Sequence, residues 1–170
     1  MKDKAKAIFL NARRYSESSW ILNKTGKPQI LLPSWTNAAL ALELYFKALY
    51  YCLNGKDFKM KDAKGKERFS HDFLAIFESL DDEVRCALES SFAEQLEQRD
   101  MSDVDALEKQ DAISHIPRDL PTNLKAWSSV FVKLRYVYEA EGQEIPMMFF
   151  PEIERSVLQA IFSERPEWKS

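Results

Sequence analysis

Residues 34–54 read SWTNAALALELYFKALYYCLN. Apolar residues recur there every three or four positions, the period of an α-helix. Trp35, Ala38, Ala39, Leu42, Phe46, Leu49 and Leu53 make one stripe, and Leu40, Leu44 and Tyr51 cover much of the remaining surface. A helix apolar almost all round is buried on more than one side, at the centre of a bundle or against a second subunit. Glu43 and Lys47 interrupt the run. Ser34 is the expected N-cap, and Asn54-Gly55 is a C-terminal stop.

The flanking segments share the helical period. Residues 3–22 place Ala5, Ile8, Phe9, Ala12, Tyr15 and Ser19 on one face, and Gly26, Pro28 and Pro33 mark the connection that follows. Residues 56–69 read as a basic loop. Ser70 is expected to cap a short helix that buries Phe73, Leu74, Phe77 and Leu80. Asp81, Asp82 and Glu83 open the next helix, where acids suit the positive helix end, and Val84, Leu88, Phe92 and Leu96 are its apolar side. From Asp100 to Pro121 the period fades into a long loop with at most a short helix. Thr122 or Asn123 is expected to cap a helix reaching about Glu141, with Trp127, Val130, Phe131, Leu134, Val137 and Tyr138 inward. Pro151 suits the first position of a last helix, whose stripe is Ile153, Val157, Leu158, Ile161 and Phe162. No segment alternates as a strand would. The expectation is an all-α, up-and-down bundle of five to six helices forming one domain over residues 1–170.

A net charge of −3 gives no global pull toward nucleic acid or an anionic membrane. The charge is uneven, however. Residues 56–68 hold six basic and three acidic side chains, and residues 78–111 hold twelve acidic and three basic. These are two solvated faces or a gradient that steers an anionic ligand to one side. Cys52 and Cys86 lack motif spacing, which suits a reducing cytoplasm. The charged N-terminus has no signal-peptide core, and no apolar run approaches the ~18 residues of a membrane span. No Gly-rich phosphate loop, nucleophile elbow or zinc spacing is present. No cofactor is implied.

Three constellations could carry chemistry. Glu43 and Lys47, four apart, lie one above the other on a helix. They form either a structural ion pair or the polar end of a groove, and a charge on a buried face needs a partner, which Arg135 or His71 could supply. Ser70-His71-Asp72 either caps a helix or places a titratable histidine beside the basic loop. Arg135 and Glu139 share a helix face in the weaker order for a surface pair. They either link helices or leave Arg135, flanked by Tyr136 and Tyr138, to hold a phosphate while a base stacks nearby. His115, before Pro117, reads as a surface histidine.

The run NAALALELYFKALYYCLNG, the basic loop, SHDFLAIFESL and AWSSVFVKLRYVYE, in that order and spacing, resemble a HEPN domain (higher eukaryotes and prokaryotes nucleotide-binding) over residues 34–139. The resemblance implies an all-α bundle that often dimerises. Many such proteins are metal-independent ribonucleases of toxin–antitoxin, phage-defence or RNA-processing systems. They use an R-x4-6-H motif whose Arg and His meet in a cleft between two subunits. Arg135 matches that arginine by position. Tyr136 replaces the polar residue that commonly follows it, and Ala140, Glu141 and Gly142 stand where the histidine would fall.

That departure removes the obvious general base, although Arg135 could still stabilise phosphate charge. The expectation is therefore a non-catalytic homodimeric module that binds nucleotide or RNA through Glu43, Lys47, His71, Asp72, Arg135, Tyr136 and Tyr138. One alternative is a metal-independent endoribonuclease in which Arg135 holds the phosphate and His71 or Glu139 moves protons. The other is a structural or regulatory bundle that binds a partner protein. None of these readings involves a membrane.

Overall fold

The computed structural model describes residues 3–61, 64–68, 70–109, 116–135 and 149–169, with residues 103, 107 and 129–135 described by their backbone alone. Seven α-helices and one two-stranded hairpin occur among them. The described chain is thus all-α apart from that hairpin. The helix count exceeds the expected five to six because the segment after Asp100, with its faded period, still forms a two-turn helix.

Helix α1 spans Lys4–Lys24, and the Asp3 carboxylate caps it by accepting from Lys6 N. Its buried face is Ala5, Phe9, Ala12, Ser16 and Ser19. Tyr15, expected inward, is 39% exposed, and Ser16 takes its place. Helix α2 spans Leu31–Asn54 and starts a turn earlier than its apolar stripe suggests. Ser34 is therefore no cap. It is buried inside the helix, and its hydroxyl donates to Ser19 O at 2.9 Å. Pro33 lies in the first turn of α2, where its missing N–H has no helical partner to lose. Gly55 ends the helix at φ 66°, and its N–H bonds Tyr51 O, a left-handed cap that favours glycine.

The basic loop contains a hairpin. Strand β1, Met60–Lys61, pairs antiparallel with β2, Glu67–Arg68, and Gly65, at φ 75°, serves its turn. Two residues per strand are too few to show alternation in a sequence. Helix α3, Phe73–Glu78, follows; then α4, Asp82–Glu97, and α5, Ser102–Lys109.

Helix α6 is described over Leu120–Arg135. It starts before the expected Thr122, because Asp119 accepts from Thr122 N at 2.8 Å and so supplies the cap. Pro121 consequently sits in the first turn, where its missing N–H leaves no helical bond unmade. The buried Asn123 amide donates to the carbonyls of Pro117 and Asp119 and secures the approach to the helix. Helix α7, Phe150–Glu164, carries Pro151 in its first turn. A short 3-10 turn, Pro166–Trp168, returns Trp168 onto Phe9, with ring centroids 5.2 Å apart.

α2 packs against α1, α3, α6 and α7, and α4 covers α7. This explains why α2 is apolar on several sides: Ala38, Ala39, Ala41, Leu42, Tyr45, Phe46, Ala48 and Leu49 are all buried. The alanines allow neighbouring helices to approach closely, while Leu42, Phe46 and Leu49 fill the core among them. Among the described residues no helix is long and apolar enough to cross a membrane.

Candidate functional site

The polar break in the α2 stripe lies where α3 lands. Phe73, at the first position of α3, stacks on Phe46 of α2 with centroids 6.2 Å apart and planes at 11°. That contact sets the height of the α3 start along α2. Glu43 is three residues before Phe46, one turn earlier on the same flank. His71, two residues before Phe73, therefore falls beside Glu43. Asp72 holds the start of α3 by accepting from Ala75 N at 3.2 Å. Ser70, the expected cap, instead accepts from Asp72 N at 3.0 Å. The cap lies two residues later than expected, and Asp72 is taken up in that role. Leu74 N also donates to Ser128 Oγ of α6 at 3.3 Å.

One carboxylate oxygen serves two cations or donors. Lys47 Nζ donates to Glu43 Oε1 at 2.5 Å, and His71 Nδ1 lies 3.0 Å from the same atom. Glu43 is 8% exposed in its side chain and Lys47 20%, whereas the His71 ring is 74% exposed. A carboxylate can only accept, so Nδ1 of His71 carries the proton of this bond. The neutral ring then presents Nε2 to solvent as an acceptor. A buried carboxylate that orients an accessible imidazole is an arrangement able to accept or deliver a proton at Nε2. Equally, Lys47 and a protonated His71 would present positive charge to an anion.

Arg135 is the last described residue of α6, a helix that packs on both α2 and α3. Its side chain lies outside the described residues, as do Tyr136, Tyr138, Glu139 and His115. Glu43, Lys47 and His71 are thus brought together, with Asp72 adjacent as the helix cap.

Two further buried carboxylates escaped the sequence reading. Glu154 of α7 accepts from Ser16 Oγ and from Trp20 Nε1, the latter at 3.4 Å. Tyr45, buried on α2, feels the Glu154 charge. Burial pushes the Tyr45 phenol well up, and the Glu154 charge adds to the shift. Glu152, also buried, accepts from Arg99 Nη1 at 2.9 Å, and the Arg99 guanidinium lies over the Phe149 ring at 5.2 Å. The signal was present in the period: Glu154 is seven residues before Ile161, on the buried arc of α7. Among the described residues no His, Cys, Asp and Glu side chains cluster as a metal site requires.

The basic segment is exposed. Lys56, Lys59, Lys61, Lys64, Lys66 and Arg68 all face solvent along the hairpin, just before His71 in the chain. Compared with known proteins, the chain matches no family model, no curated protein and no solved structure.

Proposed function

We propose that the chain is a HEPN-like, non-catalytic module that binds nucleotide or RNA, folded as one helical domain and paired as a homodimer in the cytoplasm, in a toxin–antitoxin or phage-defence setting. The observation that carries the reading is the placement of His71. It is held on the buried Glu43–Lys47 pair yet open to solvent, directly after a hairpin rich in exposed lysine. Lys47, His71 and Arg135 would contact phosphate, and Tyr136 and Tyr138 would offer stacking faces.

Binding of a fluorescein-labelled single-stranded RNA, followed by anisotropy over a salt series, tests it. With three to five phosphate contacts, log K falls against log salt with a slope of about −2 to −3.5. A flat salt response, or no binding at low salt, removes the reading.

The Glu43–His71 contact also favours one alternative, a metal-independent ribonuclease. In that reaction Nε2 of His71 takes the 2′-hydroxyl proton. The 2′-oxygen then attacks the adjacent phosphorus, and the P–O5′ bond breaks to leave a 2′,3′-cyclic phosphate. The proton returns from the imidazolium to the departing 5′-oxygen, and Arg135 offsets the developing phosphate charge. Cleavage of mixed RNA in the presence of a chelator, lost in His71→Ala, selects this reading over binding alone.

A further inference from the structure

One turn beyond Lys47, the same flank of α2 carries Tyr50 and Tyr51. Here the helix end and the hairpin root enclose a cleft of about 420 Å³, lined chiefly by Tyr50, Tyr51, Lys56, Asp57, Lys59 and Glu67. That volume lies within the roughly 300–1,000 Å³ of small-ligand sites. Glu43, Lys47, His71 and Asp72 do not line it.

Both carboxylates in the cleft are already paired. Lys4 Nζ donates to Asp57 Oδ2 at 2.6 Å, and Lys59 Nζ to Glu67 Oε2 at 3.0 Å. The Lys59 ammonium holds the Glu67 carboxyl below its ordinary range. With those acids offset, Lys56 and Lys61, both near enough to act on the Glu67 carboxylate, set the local sign. The last carbonyls of α2 oppose an anion with about half a unit charge, and Gly55 N–H caps one of them, Tyr51 O, at 2.9 Å. Those two ammonium groups outweigh that partial negative charge.

The aromatic side is held in place as well. Tyr50 meets Phe58 edge-to-face at 5.2 Å, and Lys4 Nζ lies 5.7 Å over the Tyr51 ring. A fixed aromatic plane beside ammonium groups is what a base and its phosphate require together.

We propose that this cleft holds one nucleotide, its base against Tyr50 and Tyr51 and its phosphate on Lys56 and Lys59. The claim rests on the nucleotide- or RNA-binding reading and adds where the ligand is seated. The nucleotide is either free or one unit of a strand that continues past Lys47 to His71.

The test uses the full chain with two probes: adenosine 5′-monophosphate by calorimetry and a labelled eight-residue oligoadenylate by anisotropy. The variants are Lys56→Glu, Tyr51→Leu and Lys24→Glu. The last makes the same charge change at the far end of α1, about 30 Å along that helix from Lys4. Lys56→Glu is expected to weaken binding about tenfold or more, and Tyr51→Leu about five- to thirtyfold by loss of stacking. Lys24→Glu is expected to stay within about twofold, as for a screened distant charge. Tyr51 is half-buried, so circular dichroism checks its variant; Lys56 is exposed, and its variant decides if the other unfolds. Monophosphate that displaces the oligonucleotide identifies a free nucleotide as sufficient. Strand binding lost in Lys56→Glu, without monophosphate binding, makes the ligand a strand. Equal loss in Lys24→Glu reduces the effect to net charge and overturns the cleft. Full binding in Lys56→Glu, with loss in Lys47→Gln or His71→Ala, overturns the cleft and leaves the RNA-binding reading standing. No binding of either probe to wild type overturns both.

Discussion

His71 Nδ1 stands 3.0 Å from Glu43 Oε1, although 28 residues separate them in sequence. The contact joins a buried carboxylate on the most enclosed helix to an imidazole open to water, and Lys47 closes on the same oxygen. Glu43→Gln keeps the shape and removes the charge. It is expected to cost about 1–2 kcal/mol, less than the ~3–5 kcal/mol of a fully buried broken pair, because Lys47 and His71 both reach solvent. Urea unfolding of Glu43→Gln, Lys47→Met and the double variant measures the coupling. A coupling energy near zero would show that the pair contributes nothing to the fold.

The Phe46–Phe73 stack positions that contact. Phe73→Leu is expected to cost about 1–2 kcal/mol through imperfect refilling of the space. It should also weaken the proposed RNA binding severalfold without touching a polar group, because the start of α3 shifts along α2. Anisotropy at a denaturant-free midpoint of the wild-type isotherm reads the second effect. Unchanged affinity in a destabilised Phe73→Leu protein would detach His71 from binding.

Glu154 is a buried carboxylate held by neutral donors. Ser16→Ala deletes one of them and is expected to cost about 1–3 kcal/mol, the penalty of leaving an acceptor unsatisfied. Ser16→Ala combined with Glu154→Leu should recover part of that loss, since no buried charge remains. Thermal unfolding of the three proteins checks this. A double variant less stable than the sum of the singles would contradict it.

Tyr45 supplies an alkaline limit. Its phenol is raised above the ordinary value of 10.0, chiefly by burial and then by the Glu154 charge. The folded state therefore binds this proton more tightly than the unfolded state does. The resulting stability is whole below pH 10 and is lost as pH rises from there toward the folded value. Tyr45→Phe removes the group and should flatten the alkaline limb of stability above pH 10. Tyrosinate absorbance at equilibrium should show one of the six tyrosines lagging until the chain unfolds. Six tyrosines ionising together in the folded protein would sink the prediction.

Much of the helical layout was readable because burial on one element leaves a period. The stripes of α2, α4 and α7 and the glycine stop after Asn54 follow from local spacing and backbone preference. Boundaries were less readable wherever a cap competes with a neighbour. Ser34 could bond its own helix start, but Ser19 O accepts its proton instead. Ser70 could cap α3, but Asp72 is nearer its amides. The hairpin was missed because two paired residues carry no alternation.

By itself, the sequence determined that α2 is buried on several sides, that Glu43 and Lys47 share a flank, and that cations gather between α2 and α3. Those are consequences of helical geometry and composition within one segment. Only the tertiary structure decided that His71 completes the Glu43–Lys47 pair, that Glu154 reaches Ser16 and Trp20, and that Tyr50, Tyr51 and the hairpin root border one cleft. Each of these joins residues on different elements. Their meeting depends on which ring stacks on which, as Phe73 does on Phe46, and a one-dimensional period carries no record of that choice.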